Sequence, residues 1–230
     1  MIYNQDCVAG MRRHIQDDSV DMVFTDPPYG IHGHELDEHY NRDTDKVVGG
    51  YCEVAGVDYA DFSQDWITQC ARCLRPGGSV YIVSGYTNLH HVLNALHTTN
   101  LKEINHIIAQ YSFGVYTKHK WVSSHYHVLF WAKPGRRTFN QQHTDTKESY
   151  HDRLSVQKLP RDYQTGRRRY QNAISETFID KFVRYSSNPG DTVMDPFAGS
   201  FTTQRSAVRL GRKFIGFEKN TQAVAAFAAK

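Results

Sequence analysis

The sequence predicts an α/β protein whose seven strands form a mostly parallel sheet with a terminal antiparallel hairpin and helices on both faces. Three observations lead there. Short β-branched apolar runs alternate with stretches of helical apolar spacing, the pattern of strands joined by crossover helices. Two of those runs end in an acid followed at once by proline, at Asp26-Pro27 and Asp195-Pro196. Rigid turns therefore stand where open α/β sheets hold their ligands. A helical stripe also leads through Arg75-Pro76-Gly77-Gly78 straight into another apolar run, the form of a parallel crossover. At 230 residues the chain reads as one domain, 1–230, large enough for a substantial core.

Met1–Asn4 reads as a short strand that delivers Asp6 and Cys7 into a loop, and Val8, Met11 and Ile15 follow at helical spacing. Val20–Phe24, interrupted only by Asp21, is the second strand. Residues 31–61 show no period and are rich in Gly, Asp, His and Tyr. A stretch of that length is read as a mobile loop or lid over a substrate pocket. Phe62, Trp66, Cys70, Cys73 and Leu74 mark one helix, Val80–Val83 a buried strand, Leu89–Leu96 a helix and Ile104–Ala109 a strand. His125–Ala132 has strand character inside an aromatic, basic stretch from Tyr111 to Lys133. Ile174, Phe178, Phe182 and Tyr185 mark a helix that Ser187-Asn188-Pro189-Gly190 ends. Asp191–Met194 is a strand, Thr203, Ala207 and Leu210 mark a helix, and Lys213–Phe217 is the last strand, ending in Glu218.

Net charge is only +3, yet residues 32–65 carry nine acids against two bases and residues 133–170 ten bases against four acids. Asymmetry of this size is a footprint for a polyanion on one face. The polar, basic insert at 134–171 holds Arg136, Arg137, Lys158, Arg161 and the run Arg167-Arg168-Arg169. With nucleic acid as partner, these would meet phosphates and supply salt-dependent, mostly sequence-blind affinity. No apolar run reaches 18 residues and no apolar leader opens the chain, so a cytoplasmic protein without a membrane span is expected. Cys70 and Cys73 have no second pair to complete a four-ligand site, and His32 and His34 have no third ligand. Buried thiols, surface histidines and no metal are expected.

The chemistry concentrates in two stretches. Two consecutive prolines cannot continue a strand's ladder, so Asp26-Pro27-Pro28-Tyr29 forms a rigid shelf, released by Gly30. It offers a carboxylate, backbone carbonyls and an aromatic ring, which suit a planar base with an exocyclic amine. In Asp195-Pro196-Phe197-Ala198-Gly199-Ser200, glycine lets the backbone approach a ligand, and Glu218 at the next strand's end suits two ribose hydroxyls. The lysine and spacing of a nucleoside-triphosphate loop are missing, and so is the Gly-x-Gly-x-x-Gly of a pyrophosphate site. An adenosine without phosphates fits.

Together the two stretches resemble the DNA amino-methyltransferases that use S-adenosylmethionine, with Asp-Pro-Pro-Tyr as their catalytic motif and Asp-Pro-Phe-Ala-Gly-Ser as their cofactor motif. The cofactor motif begins 169 residues after Asp26, an order that resembles the circularly permuted "beta" arrangement. The resemblance implies a Rossmann-like sheet, catalysis at Asp26, Pro27, Pro28 and Tyr29, and S-adenosylmethionine as cofactor. It also implies cofactor contacts from Asp195, Pro196, Phe197, Ala198, Gly199, Ser200 and Glu218, with Asp6 and Cys7 at the end of the first strand. Asp6 matches the acid that bonds the cofactor's adenine amine, although Asp before an apolar periodicity also caps helices. His125–Ala132 is similar to the family's closing hairpin, in which an aromatic clamps the extruded base; Trp121, Tyr126 and Trp131 are the candidates. The insert at 134–171 occupies the target-recognition slot but is short, so sequence readout is modest or borrows a second subunit. The resemblance also implies a homodimer or a heteromeric partner, in a prokaryotic or phage-encoded protein, with restriction-modification as the setting. The sequence departs from the family at Phe201, where a glycine is usual, and at Asn172-Ala173-Ile174-Ser175.

The implied reaction follows from the amine's chemistry. Its lone pair is conjugated with the ring, and acceptance of its hydrogens by Asp26 and the Pro27 carbonyl favours a tetrahedral, nucleophilic nitrogen. Orientation and preorganised acceptors carry the rate, and a duplex substrate must have its base flipped out. Asp at the first motif position leans toward adenine N6. Cytosine N4, a catalytically weak DNA-binding subunit with Phe201 closing the cofactor site, and an RNA or protein methyltransferase stay open.

Overall fold

The computed structural model describes residues 1–30, 58–112, 116, 118–140, 153–160 and 174–228. The lid expected at 31–61 lies outside them as far as residue 57, as does most of the basic insert. In chain order the elements are β1 (Ile2–Tyr3), α1 (Cys7–His14), β2 (Val20–Thr25), α2 (Tyr59–Cys73), β3 (Leu74–Ser84), α3 (Leu89–His97) and β4 (Lys102–Gln110). There follow β5 (His125–Ala132), β6 (Val156–Lys158), α4 (Glu176–Ser186), β7 (Thr192–Asp195), α5 (Thr202–Arg209), β8 (Lys213–Phe217) and α6 (Thr221–Ala228).

The strands form one sheet in the order β1-β8-β7-β2-β3-β5-β4-β6. Neighbours from β1 to β3 run parallel, while β5 is antiparallel to both β3 and β4. The expected parallel sheet with a terminal antiparallel hairpin is therefore present, with eight strands among the described residues rather than seven. The extra one is β6, which adds to β4 in parallel through Ile108–Val156, Ala109–Gln157 and Gln110–Lys158. Its three residues come from the basic insert and are too few for a period, so no sequence pattern announces it.

Alternation along the strands builds two cores. Val80 and Ile82 of β3 and Leu129 and Trp131 of β5 face one side, under α1, α2 and α3. Tyr81, Val83, Val128 and Phe130 face the other, under α4, α5 and α6. Trp66 of α2 is fully buried in the first core, and Phe182 of α4 packs on Tyr81 at 4.9 Å in the second. Burial of large apolar side chains contributes roughly 25 cal/mol for each Å² removed from water, so these faces fix the strand register.

Polar residues join the elements at their ends. Asp21, the acid inside the β2 run, accepts from Arg75 Nε at 2.5 Å and from the Thr192 amide at 2.8 Å, tying the start of β2 to both its neighbours. Arg72 donates to the Ile15 carbonyl at 2.9 Å, just past the end of α1, and adds a second bond at 2.8 Å to the Met11 carbonyl, which already takes the Ile15 amide. Asp180 of α4 accepts both from Arg209 and from Ser206 of α5, and Glu176 pairs with Arg205, so α4 and α5 are joined along their length. Among the described residues no helix is long and apolar enough to cross a membrane.

Candidate active site

Because β1, β8, β7 and β2 are adjacent and parallel, their C-terminal ends share one sheet edge. Asp6, Glu218, Asp195 and Asp26 follow those four ends, so the two motifs, far apart in sequence, meet in space. A buried hydrogen bond joins them directly: Thr25 Oγ1, next to Asp26, donates to Asp195 Oδ1 at 2.8 Å.

The glycine turn is held by acids. Asp195 Oδ1 also accepts from the Phe197 amide at 3.0 Å, and Glu218 accepts from the Gly199 and Asn220 amides at 2.8 and 2.7 Å. The Ala198 amide donates to the Phe217 carbonyl at 2.9 Å. Phe197 anchors the turn on α2 against Phe62 and Trp66, with ring centroids 5.7 and 5.4 Å apart. Burial, with a smaller push from nearby Glu218, raises the Asp195 pKa to about 6, against hydrogen bonds from Thr25, Thr203 and the Phe197 amide that favour the carboxylate.

Asp195, Ala198, Gly199 and Glu218 thus form one hydrogen-bonded unit, with Pro196 and Ser200 in the same turn. At the β1 end, the Asp6 side chain accepts from the Ala9 amide at 3.0 Å and caps α1. The expected helix cap is made. Cys7 opens the same helix as a buried thiol whose pKa is pushed up by burial, then by Asp6.

The shelf is held by side-chain donors. Tyr59 Oη donates to the Pro28 carbonyl at 2.8 Å, and Asn88 Nδ2 donates to the carbonyls of Tyr29 at 2.8 Å and Gly30 at 3.2 Å. Gly30 adopts φ +68°, and a Cβ there would strike the Tyr59 ring. Tyr29 Oη donates to Asp26 Oδ1 at 2.6 Å, fixing the half-buried carboxylate. No described hydrogen bond takes the carbonyl of buried Pro27. The Tyr29 ring lies against Gly85 and 6.1 Å from the Tyr126 ring.

Tyr59, Asn88, Thr25 and Thr203 carry no sequence signal that marks them as site residues. Tyr59 opens α2 inside a span without a period. Asn88 stands at the N-cap of α3, yet its side chain makes no cap bond and serves the shelf instead.

The remaining candidates divide by location. Trp131 is 2% exposed in the first core, edge-on to His97, so it is packing rather than a clamp. Arg136 and Arg137 follow the C-terminal end of antiparallel β5, beside Gly77 at the start of β3. That is the opposite sheet edge, about 23 Å from Ser84 at a strand rise of roughly 3.3 Å per residue. Arg137 lies over the Phe130 and Phe139 rings at 5.3 and 5.8 Å. Lys158 ends β6 opposite Gln110, exposed and at the shelf's edge of the sheet. Arg161, Arg167, Arg168 and Arg169 lie outside the described residues.

Comparison with known proteins agrees with this geometry. The DNA methylase family matches residues 20–229. The type II methyltransferase M.BamHI of Bacillus amyloliquefaciens is 30% identical over 94% of this chain and 54% of its own length. The chain therefore spans about half of that relative. The DNA adenine methyltransferase YhdJ of Escherichia coli is 29% identical over 96% of this chain and 79% of its own. The fold is similar to that of the cytosine-N4-specific PvuII DNA methyltransferase, with a TM-score of 0.78 at 17% identity, covering 99% of this chain and 84% of that one. It is also similar to that of M1.HpyAVI, solved as a complex with S-adenosylmethionine, with a TM-score of 0.67 at 20% identity over 100% and 97% of the two chains. Two motifs in permuted order and hydrogen-bonded across neighbouring strand ends are thus matched along nearly the whole sequence, and the chain belongs to the N6/N4 DNA methylase family.

Proposed function

We propose that this protein transfers a methyl group from S-adenosylmethionine to the exocyclic amine of a base extruded from DNA, with adenine N6 as the target. The observation that carries this reading is the Thr25–Asp195 hydrogen bond, which holds an amine-accepting shelf beside a glycine turn.

The residues fit the cofactor. Gly199 at φ +46° has only the Phe197 carbonyl near the place of a Cβ, at 3.7 Å, so the backbone is approachable there. Glu218 keeps lone pairs for ribose hydroxyls while bracing the turn, because a carboxylate offers about four acceptor sites. Phe201 takes a left-handed conformation, which favours glycine, at φ 60° and ψ 27°. Its ring is buried 4.3 Å from Phe227, so it fills the second core rather than the mouth of the turn. A ring packed there supports an open cofactor site over a silent subunit.

When bound, S-adenosylmethionine supplies an electrophilic methyl group on sulfur. The chain's own residues prepare the amine. Asp26 and the Pro27 carbonyl accept its two hydrogens and draw the lone pair out of ring conjugation. Tyr29 stacks on the base while its hydroxyl orients the Asp26 carboxylate. Tyr59 and Asn88 keep the shelf rigid, so little reorganisation is left for the reaction. Extrusion costs a few kcal/mol of unstacking, which stacking on Tyr29 partly offsets.

Asp at the first shelf position and the adenine enzyme of E. coli support adenine. Cytosine N4 is the second reading, favoured by the fold likeness to the PvuII enzyme. The test is transfer of labelled methyl to unmethylated duplex DNA, followed by identification of the product nucleoside. N6-methyladenine is the expected product. N4-methylcytosine would select the second reading, label in RNA alone would move the substrate class, and cofactor binding without any labelled product would sink the enzyme reading.

A further inference from the structure

The β4–β5 connection rises from the same sheet edge as the shelf. Its base is closed by the Gln110–His125 pair and by the Tyr111 amide, which donates to the Ser124 carbonyl at 2.8 Å. The chain has three tryptophans. Trp66 and Trp131 are core, at 0% and 2% exposure, but Trp121 in this connection is 96% exposed and Tyr116 is 79% exposed. Lys118, His119 and Lys120 beside it are exposed, and residues 111–124 contain no acid.

A single exposed aromatic needs no explanation. Here a second aromatic and two lysines accompany it, and rings at the base of the connection lead to the shelf. The Tyr111 and Tyr126 rings lie 5.0 Å apart, and Tyr126 lies 6.1 Å from Tyr29. Aromatic rings interleaved with cations suit a polyanion whose interior is made of flat π-faces. Each base can stack on an indole, and each neighbouring phosphate can take an ammonium group.

We propose that the described stretch 118–124 of this connection is a DNA-engaging arm in which Trp121 stacks on a base next to the extruded nucleotide while Lys118 and Lys120 meet the flanking phosphates. The proposal rests on the functional reading above and adds a contact surface beyond the base pocket. Stacking there fills part of the space that extrusion opens, so the arm holds the duplex in its open form. The cation pair adds affinity that is blind to sequence and falls with salt.

The composition makes the test direct. With the other two tryptophans shielded, the acrylamide-accessible fluorescence reports on Trp121 alone. Duplex DNA carrying a fluorescent label gives binding independently, by anisotropy. Bound DNA is expected to quench Trp121 emission and lower its acrylamide quenching severalfold. W121A is expected to weaken DNA binding by about 10- to 100-fold with S-adenosylmethionine affinity unchanged, and W121F to restore most of it. K118A with K120A should reduce the slope of log affinity against log salt by about two. If DNA binds by anisotropy while Trp121 stays as accessible as before and W121A binds like wild type, the arm is overturned and the functional reading stands. If the wild-type protein does not bind DNA at all, both fall together.

Discussion

The shelf after β2 and the glycine turn after β7 hang from adjacent parallel strands, yet they are braced in opposite senses. The shelf's brace consists of donors: Tyr59 and Asn88 cover the carbonyls of Pro28, Tyr29 and Gly30. The acceptors that the proposed reaction uses are the Asp26 carboxylate and the Pro27 carbonyl, which suit a group carrying N–H. The turn's brace consists of acceptors: Asp195 and Glu218 take the amides of Phe197 and Gly199, and the Phe217 carbonyl takes that of Ala198. Amides committed in this way cannot cradle a phosphate, as a free glycine-rich loop does. On the function proposed above, one edge of one sheet carries a site for an amine beside a site for a phosphate-free nucleoside.

Removing the acceptor from the shelf should have the largest effect. D26A is expected to slow methyl transfer by about 100- to 1000-fold, the usual cost of one preorganised polar group, while cofactor affinity stays within about twofold. Rapid-quench assays beside calorimetry would show whether the two halves separate in this way. A parallel loss of cofactor binding would break the comparison.

The next effect concerns the buried acid of the turn. Asp195 has its pKa raised from 3.8 to about 6, so its proton stabilises the folded state. That contribution is full below pH 3.8 and is lost as pH rises through about 6. Urea unfolding should therefore show wild type losing about 3 kcal/mol relative to D195N between those limits. An unchanged difference between the two proteins across that range would mean that burial does not govern this carboxylate.

Smaller effects sharpen the division further. E218A releases the Gly199 and Asn220 amides, each bonded to a charged group, and should raise the cofactor dissociation constant by about 10- to 100-fold. Transfer at saturating cofactor should change far less. Y59F leaves the Pro28 carbonyl without its donor and is expected to cost about 1 kcal/mol of stability, with a severalfold lower turnover number. Its cofactor affinity should not move, because Tyr59 braces the shelf alone.

Most of this frame was legible in the residues, for physical reasons. β5 at His125–Ala132 and β8 at Lys213–Phe217 fall where their apolar runs put them. Asp26 and Asp195 were readable because proline directly after an acid ends a strand and fixes the turn. What escaped was set by three-dimensional context. Asn88 has the sequence position of a helix cap, and only the approach of the shelf diverts its side chain. β6 has three polar or short-lived apolar positions and exists because β4 offers it an edge. Arg136 and Arg137 read as part of one basic surface, but the antiparallel run of β5 carries them to the far side of the sheet. Trp121 and Trp131 look alike in sequence, and only burial separates them.

The most direct test of the division between the two loops is a calorimetric titration of wild-type protein with S-adenosylmethionine, repeated with ATP. The committed amides of the turn predict binding of S-adenosylmethionine and no heat from ATP at the same concentrations. Binding of ATP in competition with S-adenosylmethionine would contradict the account, because it would show amides free to hold phosphates. Failure of S-adenosylmethionine itself to bind would contradict it equally.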